Sequence, residues 1–95
     1  MSRRSRFEIY IDILTEIDSG TVLPTQIMYG ANMNWNTLKR AIEKLIVQGF
    51  IEEQSIYGIK RSNRIYKLTE KGDKVLKYLK TVKEILGPET IDIPI

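Results

Sequence analysis

The sequence contains no cysteine and no histidine. The first absence removes disulfides and thiolate metal ligands, and the two together leave only carboxylates for a zinc site, an unusual set. Catalysis by a nucleophile paired with histidine is excluded. The acidic residues are scattered singly rather than paired for acid–base work, and Gly72 and Gly87 stand alone rather than in a phosphate-cradling loop. These gaps argue against an enzyme and against a resident metal or cofactor. No apolar run approaches the ~20 residues of a membrane span, and the N-terminal stretch lacks the apolar core of a secretory signal, so a cytoplasmic protein is expected.

What is present is the composition of an ordinary globular domain. The 95 residues are 42% hydrophobic and 28% charged, enough for one domain with a modest core. The formal net charge of +3 understates how the charge is sorted. Arg3, Arg4 and Arg6 open the chain, and Lys60, Arg61, Arg64 and Lys67 cluster without an acidic residue among them, whereas Glu8, Asp12, Glu16 and Asp18 share the first helical segment. Segregation of this kind yields a basic surface on a nearly neutral chain.

Periodicity predicts four helices and one hairpin. A first helix over about Arg4 to Asp18, stopped by Gly20, carries Phe7, Tyr10, Ile11, Leu14 and Ile17 as one apolar stripe, with Ile9 and Ile13 on another side. Pro24 suits the first turn of a short helix to about Tyr29. Gly30-Ala31-Asn32 ends it with two residues that tolerate positive φ. Asn34 is a good N-cap for a third helix to about Gln48, stopped by Gly49. Two helices joined by a short Gly-containing turn are the signature of a helix-turn-helix.

On the third helix Leu38, Ala41, Ile42, Leu45 and Ile46 form the inward side. Asn36, Arg40, Glu43 and Val47 lie opposite, flanked by Lys39 and Lys44. Asn36, Thr37, Lys39 and Arg40 on its N-terminal half are of the types that reach base edges and phosphates, in the part of a recognition helix that enters a major groove. Trp35 falls beside Ile42 and Ile46, which places it at the edge of the core, under the turn. Phe50 and Ile51 begin a strand to about Ser55, and Arg64 to Leu68 returns, with Ile56 to Asn63 as a long hairpin tip. Alternation puts Tyr66 and Leu68 on one face and Ile65 and Lys67 on the other. A helix-turn-helix followed by a hairpin makes a winged helix, and a tip bearing Lys60, Arg61 and Asn63 beside Arg64 suits a wing lying on phosphates.

Thr69 caps a last helix to about Leu86, ended by Gly87-Pro88. Val75, Leu79, Val82 and Leu86 form its seam, widened by Leu76 on one side and by Tyr78 and Ile85 on the other. An arc this broad exceeds what one small domain covers, which points to a subunit contact. The tail alternates Ile91, Ile93 and Ile95 with polar residues, a pattern of a frayed end or of an added strand.

From Ile27 to Gly72, roughly half of the chain, there is a resemblance to a known family. Ile27-Met28-Tyr29-Gly30-Ala31-Asn32-Met33-Asn34-Trp35 resembles the signature of small archaeal winged-helix DNA-binding proteins of the ten-kilodalton chromatin-associated type. Leu45, Gly49-Phe50-Ile51 and Tyr66-Lys67-Leu68-Thr69-Glu70-Lys71-Gly72 also fit that pattern. The resemblance implies DNA binding through Asn34 to Lys44 and through Ile56 to Arg64, dimerisation through an antiparallel pair of C-terminal helices, and association with the nucleoid. Here the last helix is shorter than the family's coiled-coil arm, and the Ile-rich tail is not part of the pattern.

The expectation is therefore a mainly α protein with a small β-hairpin: a winged helix-turn-helix domain over residues 1–86, its C-terminal dimerisation helix at 69–86, and a tail at 87–95. Its expected partners are double-stranded DNA and a second copy of itself. DNA would be met by Thr25 and Gln26 near phosphates, by Asn34, Asn36, Thr37, Lys39, Arg40 and Lys44, and by Lys60, Arg61, Asn63 and Arg64 of the wing, with a basic arm at Arg3, Arg4 and Arg6. The dimer would use Leu76, Tyr78, Leu79, Val82, Ile85 and Leu86. Such a protein is either a transcriptional regulator or a chromatin architect. The alternative is a protein-interaction module working through Ile9, Ile13, the last helix and the tail.

Overall fold

The computed structural model of the chain describes residues 5–57 and 62–86, without the side chains of residues 56, 57, 62, 63 and 86. The elements are α1 (Arg6–Asp18), α2 (Pro24–Gly30), α3 (Trp35–Val47), β1 (Ile51–Tyr57), β2 (Ser62–Leu68) and α4 (Glu70–Leu86). This is the winged-helix order: three helices, an antiparallel hairpin, a closing helix.

The helix ends follow local chemistry. Helix α1 begins two residues later than periodicity suggested, because Ser5 and Glu8 form a reciprocal cap: the Glu8 amide donates to the Ser5 hydroxyl at 3.1 Å, and the Ser5 amide to the Glu8 carboxylate at 3.5 Å. The Ser5-Arg6-Phe7-Glu8 spacing carried that signal. Helices α1, α2 and α3 end in one way, with a left-handed residue following the C-cap: Gly20 (φ 102°), Asn32 (φ 52°) and Gly49 (φ 80°). In each, the next amide reaches back to the carbonyl five residues earlier: Thr21 to Glu16 at 2.9 Å, Met33 to Met28 at 3.1 Å, Phe50 to Leu45 at 2.9 Å. Of the two residues expected to take positive φ in the α2–α3 turn, only Asn32 does. Gly30 lies against the end of the Glu16 side chain of α1, a flexible neighbour.

The core is built from every element. Ile13, Leu14 and Ile17 of α1 pack with Ile27, with Leu38, Ala41, Ile42 and Leu45 of α3, with Ile51 and Tyr66 of the hairpin, and with Leu76 of α4. Two expectations fail here. Ile13, offered as part of an interaction surface, is fully buried, and Ile9 is half-buried against the same core. Leu76, offered as a dimer contact, is 1% exposed and is consumed by its own domain. The angular width of α4's apolar arc is thus shared: Leu76, Val75 and Leu79 face inward, while Tyr78 and Ile85 are exposed.

The hairpin runs in register from Ile51 opposite Leu68 to Tyr57 opposite Ser62, so both strands extend further than alternation indicated, and Ile56, Tyr57, Ser62 and Asn63 are strand rather than tip. Ile65 and Tyr66 are both buried although they point to opposite faces. The loop before α2 runs beside β2, where the Tyr66 amide donates to the Val22 carbonyl at 3.0 Å.

One junction closes the fold. The Thr69 hydroxyl donates to the Gly49 carbonyl at 2.5 Å and accepts from the Gly72 amide at 2.9 Å, capping α4, while the Thr69 amide donates to the Phe50 carbonyl at 3.1 Å. Gly72 lies so close to Phe50 that a Cβ would overlap the Phe50 carbonyl oxygen. Backbone cannot move aside as a flexible side chain can. Gly72→Ala is accordingly expected to destabilise the domain by about 2–3 kcal/mol, as overpacking does, seen as a lower urea midpoint; an unchanged midpoint would contradict this packing.

Candidate nucleic-acid interface

The outward face of α3 exposes Asn36, Lys39, Arg40, Glu43 and Lys44, with Thr37 half-buried. The inward face is fixed by the burial of Leu38, Ala41, Ile42 and Leu45, so rotation of the helix about its axis is not free. Asn34 is committed to the start of this helix, where its side-chain oxygen accepts from the Thr37 amide at 2.8 Å as the N-cap. Thr25 and Gln26 are exposed in the first turn of α2.

The sequence grouped Arg6 with Arg3 and Arg4 as a basic arm although the expected first helix already contained it, and the structure places it in that helix. Residue 6 is the first of α1, held by the Ser5–Glu8 cap, and its side chain lines the same two depressions as Arg40 and Lys44. Three cations from two helices therefore converge beside the outward face of α3, with Glu43 on the wider rim. That depression is an open groove of about 790 Å³, floored by Phe7, Tyr10, Leu45, Phe50, Val75 and Leu79. The Ser5-x-x-Glu8 capping pattern was the signal that starts the helix at Arg6 rather than at Arg4. Arg3 and Arg4 lie outside the described residues.

Trp35 is a second departure. Its expected place at the core edge would bury it, yet it is 48% exposed. Tyr29, in the last turn of α2, is 77% exposed. The turn closed by Asn32 places these two aromatics at the two ends of the connection between α2 and α3.

The hairpin is less basic at its base than its own sequence implied. Strand pairing puts Glu52 opposite Lys67, and Glu53 accepts a salt bridge from Arg64 at 3.4 Å. Arg64 is largely exposed, so this pair contributes at most about 1 kcal/mol and leaves the guanidinium open to other partners. Lys60 and Arg61 lie outside the described residues, as does the side chain of Asn63. Among the described residues, no group of three or more His, Cys, Asp or Glu side chains is arranged to hold a metal ion. No helix of the described structure is long and apolar enough to cross a membrane.

A family described as winged helix-turn-helix matches residues 3–87. That span is most of the sequence. The chain belongs to the winged helix-turn-helix family. Two relatives come from Methanocaldococcus jannaschii: uncharacterized protein MJ0287, 36% identical over 85 residues that make up 90% of this chain and 79% of that protein, and uncharacterized protein MJ0290, 28% identical over 87 residues. The chain spans 37% of the length of MJ0290. Among solved structures, NMB1585, a MarR family regulator from Neisseria meningitidis, shares the fold with a TM-score of 0.56 at 19% identity, over 85% of this chain and 63% of that one.

Within the winged helix-turn-helix domain, Tyr66 marks where wing meets core. Its hydroxyl donates to the Glu53 carboxylate at 3.4 Å. Burial, then the neighbouring Glu53 charge and this hydrogen bond, push its pKa up from 10.0, with Arg64 opposing. A raised pKa in the folded state favours the protonated ring. The associated stability is fully present below pH 10.0 and is lost as pH rises through the raised value. The difference in urea midpoint between the wild type and Tyr66→Phe should therefore shrink as the pH rises from below 10.0 to well above it; a constant difference would show that the hydroxyl does not titrate with the fold.

Proposed function

We propose that this protein binds double-stranded DNA as a homodimer and acts as a transcriptional regulator. The observation that carries the reading is the convergence of Arg6, Arg40 and Lys44 beside a helix whose inward side is locked in the core and whose outward side exposes Asn36 and Lys39. A polyanion is the partner that such a surface suits, and a helix entering a major groove brings Asn36 and Arg40 to base edges. Thr25 and Gln26 at the start of α2 would meet phosphates, as would Asn34 through its amide nitrogen. Lys60, Arg61 and Asn63 would extend the contact from the wing, together with Arg64. The regulator reading draws on the capacity of Asn36 and Arg40 for bidentate base contacts and on the fold shared with a MarR family regulator. The resemblance of Ile27–Asn32 to the signature of small archaeal chromatin-associated winged-helix proteins adds support to DNA binding.

Homodimerisation rests on α4. Tyr78 and Ile85 are exposed on one flank of the helix, next to the half-buried Val82, while Leu79 packs inward. Exposed apolar side chains aligned along a helix suit pairing with a second copy, and a two-fold axis would present two recognition helices to two half-sites about one helical turn apart.

Titration of random-sequence duplex DNA at several salt concentrations tests the central claim. Log affinity is expected to fall with log salt with a slope steeper than about −3, as the release of counterions by four or more cations requires. Arg40→Glu should weaken binding by at least about tenfold and flatten that slope. An absence of binding at low salt would overturn the proposal. For the dimer, Ile85→Glu leaves the core untouched and should convert the protein to a folded monomer by sedimentation; a dimer that survives it contradicts pairing through this flank.

A further inference from the structure

The exposed aromatics at the helix-turn-helix are unaccounted for by packing. Trp35 is the single tryptophan of the chain and the first residue of α3, and Tyr29 stands across the turn from it in the last turn of α2. Both adjoin residues that are thoroughly buried, Ile27 and Leu38, so core positions lie within a few residues of each while these two rings remain in solvent. Elsewhere among the described residues, large exposed apolar side chains are confined to Val47 at the end of α3 and to the α4 flank assigned above to a second copy. The two exposed aromatics of the α2–α3 connection therefore belong to elements other than α4.

The neighbours of Trp35 indicate what covers it. At 100° per residue, Trp35 stands 40° from Lys39, one turn further along, and on the opposite side of Lys39 comes Asn36. The indole is thus continuous with the polar and cationic face proposed to meet DNA, at the end of α3 that would enter the groove first. Nearly everything a major groove offers at its base edges is a donor or an acceptor. The apolar exception is the C5-methyl of thymine. An indole supplies a flat apolar surface for that methyl and a single N–H donor for an adjacent acceptor.

We propose that Trp35 packs on thymine methyl groups in the major groove and gives this protein a preference for A·T pairs beneath the N-terminal turn of α3. The inference rests on the DNA-binding reading and adds to it the base that is read. Lys39, Arg40 and Lys44 supply affinity without regard to sequence, whereas Trp35 supplies discrimination through one methyl group.

The test uses the full chain and two alternating duplexes of equal length, one of dA and dT and one of dA and dU, which differ by the methyl alone. The wild type should bind the thymine duplex more tightly, on the order of fourfold for each methyl covered. Trp35→Ala should abolish that ratio while leaving the salt slope unchanged, and Trp35→Phe should retain most of it. Emission from the single tryptophan should be quenched by the thymine duplex. Equal affinity of the wild type for both duplexes, or a ratio that persists in Trp35→Ala, overturns the inference while the DNA-binding reading stands. A blue shift of Trp35 emission with protein concentration in the absence of DNA would assign the indole to a second copy and overturn the inference likewise. Failure of both duplexes to bind at low salt overturns the DNA-binding reading, and this one with it.

Discussion

The contact on which the rest of the architecture depends is the approach of α4 to the start of the sheet. Thr69 joins three pieces of backbone at once, the end of α3 at Gly49, the entrance to β1 at Phe50 and its own helix at Gly72. Lys71 adds a fourth tie by donating to the Gln48 carbonyl at 2.8 Å while its ammonium lies 5.1 Å from the centre of the Phe50 ring. These bonds satisfy carbonyls that the end of α3 would otherwise leave open, and they do so with groups from the far side of the hairpin. The end of the proposed recognition helix and the base of the wing are therefore set by one junction. Its geometry requires a residue without Cβ at position 72, because the Phe50 carbonyl occupies that space.

From this follows the division of labour on α3. With its C-terminus clasped and Leu38, Ala41, Ile42 and Leu45 buried, the helix has a fixed outward face. Convergence of Arg6 with Arg40 and Lys44 depends on a further local event, the capping box that makes residue 6 helical rather than part of a loose arm. A cation held on a helix loses less conformational freedom on meeting a phosphate than one on an unstructured arm. The wing follows the opposite course: at its base, Glu52 and Glu53 offset charge that looked unopposed along β2. Among the described hairpin residues, the exposed side of Arg64 is what remains of that basic character beside Lys67.

Helix α4 shows how a small domain divides a wide apolar arc. Leu76 completes the core, Val75 and Leu79 floor the groove against α1 and α3, and Tyr78 and Ile85 are left outside. One helix thus contributes to folding and retains a flank suited to assembly. The groove between α1, α3 and α4 is lined by Val75 and Leu79 of α4 together with Arg6, Arg40 and Lys44.

Much of this was legible in the sequence, for stated physical reasons. Helix periodicity and stop residues gave all four helices, Asn34 and Thr69 were identifiable as caps, and the hairpin order specified the winged-helix arrangement. The inward and outward faces of α3 followed from 3.6-residue periodicity because that helix is amphipathic and packs on one side only. Tertiary structure decided what periodicity cannot. Ile13 and Leu76 have angular positions at the edges of their stripes, and whether an edge residue is buried depends on which neighbour arrives beside it. Trp35 is the converse, with a core-edge angle but no element to cover it. Gly72 is a glycine for a reason that lies in the Phe50 backbone, twenty-two residues away. The pairing of Arg64 with Glu53 belongs to the strand register, which brings together charges that the sequence holds eleven residues apart. Local sequence determines which elements form, through capping, turns and periodicity; which side chains remain available for a partner is settled only when those elements pack.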